Sequence, residues 1–299
     1  MDITERLQWL EALAEKNIDT QKVELDICIK HNVKWDVLRT DLIHPICSGN
    51  KFFKLKYYLT EAIRTQKKII ATYGGPWSNH LVATAFAAKY CGLKSIGYIR
   101  GENPAHYSQT IIDCREQGME IHFLNRNDYD NIKYNDHSTH DTLIIPQGGY
   151  GPKGMQGASE MLEYTNAGSY SHIICAVGSG TMYAGLCQAA SILTTPIGLT
   201  VHTDDQIEYE IKHLLSLNHQ NKHQQIELHH DQMGGFAKVN LQVIEFMNEF
   251  YQKTGIPTDF VYTGRLMKWI HDSINSGQIP SGSHILSIHS GGLQGNISL

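Results

Sequence analysis

The chain has 299 residues, 41% hydrophobic and 18% charged, the make-up of a globular protein long enough for two lobes of roughly 100–200 residues each. A net charge of −5 with no Lys/Arg block argues against nucleic acid or an anionic membrane as the main partner. No run reaches the roughly 18 apolar residues needed to cross a bilayer.

Met1 to Leu10 reads as an acidic-capped amphipathic helix without the basic start and apolar core of a signal peptide. Ile69–Tyr73 reads as a strand, Asn79–Cys91 as an alanine-rich helix and Ser95–Ile99 as a second strand. A helix near Tyr107–Gln117 and a strand at Glu120–Leu124 follow, then a polar loop over Asn125–Asp141 and a strand at Thr142–Ile145. Ile173–Val177 enters a glycine loop, and a helix leaves it over Thr181–Leu193. Ile197–Val201 is strand-like, helices are expected over 206–217, 239–254 and 262–276, and His284–His289 closes the series as a strand. Strands alternating with helices of about 10–15 residues predict an α/β fold: parallel-rich twisted sheets flanked by helices, in two lobes with the site between them.

The six cysteines (Cys28, Cys47, Cys91, Cys114, Cys175 and Cys187) contain no Cys-x-x-Cys pair and read as reduced, buried thiols of a cytoplasmic protein. His213, His219, His223, His229 and His230 fit no common zinc spacing and read as solvent-facing helix positions, so no metal is expected.

Five short segments carry chemistry. Ser48-Gly49-Asn50-Lys51 sets a lysine at the mouth of a helix, where backbone N–H groups favour an anion and a desolvated amine becomes a nucleophile. A lysine in a turn is equally the ordinary form of a solvated surface residue. Val177-Gly178-Ser179-Gly180-Thr181-Met182 lets successive N–H groups curl toward a phosphate, with Ser179 and Thr181 adding hydroxyls. It lacks both the P-loop ending and the dinucleotide spacing, so a monophosphate fits better than a triphosphate; a plain strand-to-helix turn is the alternative. Tyr73-Gly74-Gly75-Pro76-Trp77-Ser78-Asn79-His80 delivers Ser78 and Asn79 to a helix start, as a carboxylate receiver or as a simple N-cap. Val261-Tyr262-Thr263-Gly264 and His289-Ser290-Gly291-Gly292 set further hydroxyls at element ends.

Taken with Leu38–Pro45, Arg100-Gly101-Glu102 and Ile145–Gly149, these segments resemble the pyridoxal-phosphate-dependent 1-aminocyclopropane-1-carboxylate (ACC) deaminase and D-cysteine desulfhydrase family, of tryptophan-synthase-β-like fold, over almost the whole chain. The resemblance implies a large cofactor-binding domain of residues 1–51 plus 159–299, a small domain of 52–158, and a homodimer. It makes Lys51 the Schiff-base lysine and the base at the substrate α-carbon, Asn79 the partner of the cofactor's ring hydroxyl, and Ser78 the contact of the substrate carboxylate. Gly178, Ser179, Gly180, Thr181 and Met182 become the phosphate loop, Tyr262 an acid/base or orienting group, and Thr263 and Ser290 neighbours of the pyridine nitrogen.

ACC deaminases carry Glu at the position of Thr263 and Leu at that of Ser290. Hydroxyls there leave the pyridine nitrogen neutral, a weaker electron sink that suits loss of a good β-leaving group. The resemblance therefore points to elimination from a small D-amino acid, giving pyruvate, ammonia and sulfide, ahead of ACC ring opening to 2-oxobutyrate and ammonia. A pyridoxal-phosphate-binding protein with little turnover is the alternative from another class. It is suggested by Phe53 and Phe236, which stand where the family usually has Arg and Tyr; Gln147 and Met182 also depart from the family's Glu and Thr.

Overall fold

The computed structural model describes residues 3–132, 137–201, 206–217, 226–235 and 237–298. α1 (Ile3–Asn17), β1 (Thr20–Lys22), α2 (Asp26–His31) and β2 (Lys34–Leu38) open the chain, and α3 (Gly49–Arg64) carries it onward. β3 (Ile69–Gly74), α4 (Asn79–Tyr90), β4 (Lys94–Arg100), α5 (Gln109–Glu116), β5 (Met119–Leu124), α6 (Arg126–Ile132) and β6 (Thr142–Ile145) come next. The second half runs α7 (Pro152–Ser159), β7 (His172–Val177), α8 (Thr181–Ala189), β8 (Thr195–Thr200), α9 (Gln206–Ser216) and β9 (Glu227–His230). It ends with α10 (Leu241–Thr254), α11 (Thr263–Ser276) and β10 (His284–Ile288).

The strands form two sheets, ordered β1-β2-β10-β7-β8-β9 and β5-β4-β3-β6. Every pairing is parallel except that of β1 with β2, a three-residue antiparallel edge too short to leave a sequence signal. β3 and β7 are buried along five successive residues, as strands covered on both faces must be. β4 alternates buried and part-exposed positions.

Three sequence expectations are corrected. The Asn125–Asp141 segment is not all loop: Asn125 Oδ1 accepts from the Asp128 N–H at 3.0 Å, starting α6, and Tyr129 on that helix is buried against the Tyr73 ring. α8 ends at Ala189 rather than Leu193 because Ala190 is extended. His229 and His230 lie on strand β9, paired with Leu199 and Thr200, not on a helix. His219 and His223 lie outside the described residues. Among the described residues no group of three His, Cys, Asp or Glu side chains could hold a metal, and no helix is long and apolar enough to cross a membrane. All six cysteines are buried and unpaired.

α3, α7 and α8 pack backbone to backbone. A Cβ on Gly157 of α7 would stand 1.9 Å from the Phe53 carbonyl oxygen of α3, and one on Gly185 of α8 would stand 2.5 Å from that of Met155. This close approach roots α3, whose first turn reaches the site. Gly157→Ala is expected to lower stability by about 1–3 kcal/mol, because the helices must separate. Gly168→Ala, at a position with open space around it, should stay within about 0.5 kcal/mol of wild type in the same urea titration.

Candidate active site

Four loops leave the carboxyl ends of parallel strands and converge: Gly75–Ser78 after β3, Pro146–Gly149 after β6, Gly178–Gly180 after β7 and His289–Gly292 after β10. That edge is where open parallel sheets bind ligands. The start of α3 enters the same space, held there by a near-contact of backbones. Gly49 has φ +59°, a Cβ on it would lie 2.0 Å from the Ser290 carbonyl oxygen, and that oxygen accepts from the Asn50 N–H at 3.2 Å. Only glycine fits there.

The His289–Gly292 loop is itself pinned. His289 Nδ1 accepts from the Gly291 N–H at 3.3 Å, so its Nε2–H donates to the Pro257 carbonyl at 2.6 Å. Thr40 Oγ1 donates to the His289 carbonyl at 2.6 Å, and the Arg39–Asp41 fork lies behind it.

Lys51 occupies the first turn of α3, and its Nζ donates to Asn50 Oδ1. Burial lowers its pKa to about 8, against the opposing pull of Asp259. One turn on, Lys54 is 4% exposed and donates to Ser179 Oγ at 3.2 Å. Burial, then the nearby Lys51, pushes it well below the usual lysine value. Among the described residues no carboxylate pairs with it. Ser179 Oγ in turn lies 3.0 Å from Thr181 Oγ1, and a Cβ on Gly178 would lie 3.3 Å from the Tyr262 hydroxyl. Gly180 has φ +74°. The loop that the sequence offered as a phosphate cradle thus carries two clustered hydroxyls and a buried cation, with the Tyr262 ring against it.

His80 is almost fully buried. Thr72 Oγ1 donates to the Ile145 carbonyl at 2.8 Å, so it accepts from His80 Nε2–H at 2.9 Å. Nδ1 therefore carries a bare lone pair and has no partner among the described residues. Burial, then Lys51 and Lys54, pushes His80 well below its usual pKa, which keeps it neutral. Ser78 stands at the N-cap position of α4, but its hydroxyl makes no capping bond; the plain N-cap alternative is not what forms. Asn79 Nδ2 lies 3.5 Å from the Gly292 carbonyl, joining the two loops.

Asp259 is 1% exposed. Its carboxylate accepts from the Val261, Tyr262 and Thr263 N–H groups at 2.8–3.0 Å and from Thr263 Oγ1 at 2.6 Å. Burial, then Asp259, raises the Tyr262 hydroxyl above its ordinary value. Ser290 is buried on the loop facing Asn50.

Lys51, Ser78, Asn79, Ser179, Thr181, Tyr262, Thr263 and Ser290 all lie on elements that meet here. Met182 sends its side chain into the hydrophobic core, leaving only its backbone for a ligand. Phe53 is also core, edge-on to Phe52 and Tyr164, and so is no site residue. Gln147 Oε1 accepts from the Tyr129 hydroxyl at 3.0 Å. Phe236 lies outside the described residues. Sequence reasoning passed over Lys54, His80 and Asp259. Lys54 is three residues from Lys51, hence on the same helix face, and Asp259 precedes a helix start as an N-cap residue does. Nothing local marks His80.

A family profile described as "Pyridoxal-phosphate dependent enzyme" matches residues 30–291. A Thermotoga maritima protein named "Putative 1-aminocyclopropane-1-carboxylate deaminase" is 28% identical over 281 residues, covering 87% of this chain and 88% of the relative. The Arabidopsis thaliana "Bifunctional D-cysteine desulfhydrase/1-aminocyclopropane-1-carboxylate deaminase, mitochondrial" is 26% identical over 290 residues, 87% of this chain and 72% of that protein. A crystal structure described as an ACC deaminase homologue superposes with TM-score 0.83 at 25% identity, covering 97% of this chain and 96% of the other.

The depressed pKa of Lys51 has a signed consequence. Folded Lys51 loses its proton near pH 8 and unfolded Lys51 near 10.5, so across that window the unfolded state binds more protons and folding gains stability as pH rises. In the cofactor-free protein, Lys51→Met should be more stable than wild type below about pH 8. The difference should shrink toward pH 10.5 in denaturant titrations at stepped pH.

Proposed function

Since the chain belongs to the pyridoxal-phosphate-dependent enzymes, we propose that it uses this cofactor for β-elimination from a small D-amino acid bearing a thiol, giving pyruvate, ammonia and sulfide. The observation that carries the reading is the meeting of a half-buried, easily deprotonated Lys51 with a hydroxyl-lined glycine loop and with hydroxyls at 263 and 290. The residues fit the cofactor. Half-buried Lys51 and buried Lys54 lie in the pocket, Lys54 has no protein counter-ion among the described residues, and the cradle at Gly178–Thr181 lies beside it. Such a pocket calls for an anion.

In this reading Lys51 would hold the cofactor and, once displaced by the substrate's amine, its Nζ would take the substrate's α-proton; with a pKa of about 8, part of the free side chain is unprotonated near neutrality. Bound pyridoxal phosphate supplies the sink for the electron pair left at the α-carbon. Lys54, Ser179, Thr181 and the backbone of Gly178, Gly180 and Met182 hold the phosphate, and Asn79 meets the ring hydroxyl. Ser78 and the free N–H groups at the start of α4 receive the substrate carboxylate, which the unspent Ser78 hydroxyl supports. The Tyr262 hydroxyl, raised by burial, keeps its proton and orients or protonates the departing sulfur. Thr263 and Ser290 flank the ring nitrogen. Hydroxyls at these two positions favour elimination over ring opening. The relatives' names support both chemistries at the level of amino-acid deamination and elimination.

The proposal extends to a small domain of 52–158, supported by the four strands of one sheet falling between residues 69 and 145, and to a homodimer. The test is reconstitution with pyridoxal phosphate followed by D-cysteine, L-cysteine and ACC. Pyruvate and sulfide from D-cysteine are expected. 2-Oxobutyrate from ACC would overturn the elimination reading, and a coloured protein that turns over no small amino acid would favour binding alone. Lys51→Ala should abolish the visible absorbance band and turnover together. Tyr262→Phe should keep the band and lower kcat by about 10²–10⁴, the range for a lost acid/base group.

A further inference from the structure

Asp259 is nearly devoid of exposure, yet among the described residues it forms no ion pair. Its carboxylate instead collects the donors of the turn that leads into α11. Oδ1 accepts from the Val261 N–H at 2.9 Å and the Tyr262 N–H at 2.8 Å; Oδ2 accepts from the Thr263 N–H at 3.0 Å and from the Thr263 hydroxyl at 2.6 Å. The Asp259 N–H donates back to Thr263 Oγ1 at 2.7 Å. A hydroxyl has one proton and two lone pairs. At Thr263 the proton is spent on Oδ2 and one lone pair on the Asp259 N–H, so a single lone pair is left. Thr263 can accept one more hydrogen bond and can donate none.

Ser290, on the facing loop, differs. It engages Asn50 through its carbonyl, while its hydroxyl makes no hydrogen bond among the described residues and keeps its proton. The carboxylate also backs the wall of the pocket: a Cβ on Gly292 would lie 3.1 Å from Asn79 Nδ2 and 3.6 Å from Asp259 Oδ2.

We propose that Asp259 is a positioning residue of this site, turning the Thr263 hydroxyl so that it can only accept and leaving Ser290 as the hydroxyl donor to the cofactor's ring nitrogen. This rests on the pyridoxal-phosphate reading and sharpens it. The two hydroxyls that the sequence offers as equivalent are not, and a residue that never touches the ligand makes the difference. An uncharged ring nitrogen needs a donor, which Ser290 has and Thr263 lacks.

Asp259→Asn tests the relay. The amide oxygen keeps the Val261 and Tyr262 bonds, while the amide NH2 gives up the Thr263 N–H bond and donates to Thr263 Oγ1. Both Thr263 lone pairs are then filled and its proton is freed from the residue-259 side chain, so that this fully buried hydroxyl can donate to a neighbouring acceptor. Pyridoxal phosphate labelled at the ring nitrogen is bound to wild type, Ser290→Ala, Ser290→Thr, Asp259→Asn and the double variant Asp259→Asn/Ser290→Ala, and the nitrogen resonance and cofactor affinity are recorded. Ser290→Ala should move the resonance to that of a nitrogen without a donor and weaken binding by about tenfold, the scale of one hydrogen bond. Ser290→Thr should restore both, and adding Asp259→Asn to Ser290→Ala should recover the bonded resonance and most of the affinity. A Ser290→Ala protein whose nitrogen still reads as hydrogen-bonded overturns the proposal, as does a double variant indistinguishable from Ser290→Ala. If Asp259→Asn does not fold, as judged by circular dichroism, the Ser290 variants decide alone. Wild type that takes up no pyridoxal phosphate overturns the functional reading and this inference together; coloured wild type with either adverse result overturns this inference only.

Discussion

The site depends on one steric constraint, the near-contact of backbone between the start of α3 and the loop after β10. With φ +59° and a Cβ that would intrude to 2.0 Å from the Ser290 carbonyl oxygen, Gly49 permits two segments some 240 residues apart to lie against each other. The Asn50 N–H closes the contact by donating to that same oxygen. Lys51 is the next residue, so its place relative to Ser290 follows from this approach. The loop on the other side is no freer: His289 spends both ring nitrogens on backbone groups, and Thr40 holds its carbonyl. A lysine on a flexible turn would be hydrated; a lysine on a turn pinned in this way is half-buried, loses much of its hydration and gives up its proton more readily.

Burial then organises the charges. Lys51 and Lys54 lie one helical turn apart, and Asp259 is the carboxylate that acts on Lys51. Asp259 is occupied four-fold by residues 261–263, the turn leading into α11, so it neutralises the pocket only in part. His80, locked by Thr72 into the tautomer with a bare Nδ1, adds a lone pair rather than a charge. The pocket therefore holds amines whose protonated forms are poorly compensated, with hydroxyls at its glycine loop, the environment in which an anionic, phosphorylated ligand would restore the protonated lysines.

Much of this was legible in the chain. Continuous apolar runs such as Ile173–Val177 announce strands covered on both faces, and the glycines that follow them announce loops at carboxyl ends. Lys51, Ser179 and Thr181 could be picked out because five chemistry-bearing segments occur together in one chain, although each turn alone has an ordinary structural explanation. The elements that escaped have physical reasons. β1 is a three-residue edge with no periodicity to detect, and α6 owes its existence to one Asn cap and to Tyr129 packing on Tyr73. β9 is polar on its face and is a strand because β8 offers it a partner. Phe53, a departure from the family pattern that looked like a damaged site, is a core side chain packed edge-on against Phe52 and Tyr164.

By itself the sequence determined the α/β class, the segments that carry chemistry and the hydroxyl character of positions 263 and 290, because periodicity and glycine placement are local properties of the chain. Which hydroxyl keeps its proton, which lysine backs the glycine loop and why Lys51 is easily deprotonated were decided only by the tertiary structure. Hydrogen-bond direction and desolvation depend on what lies across space: Asp259 against Thr263, Lys54 against Ser179, and the Ser290 carbonyl against the Asn50 N–H.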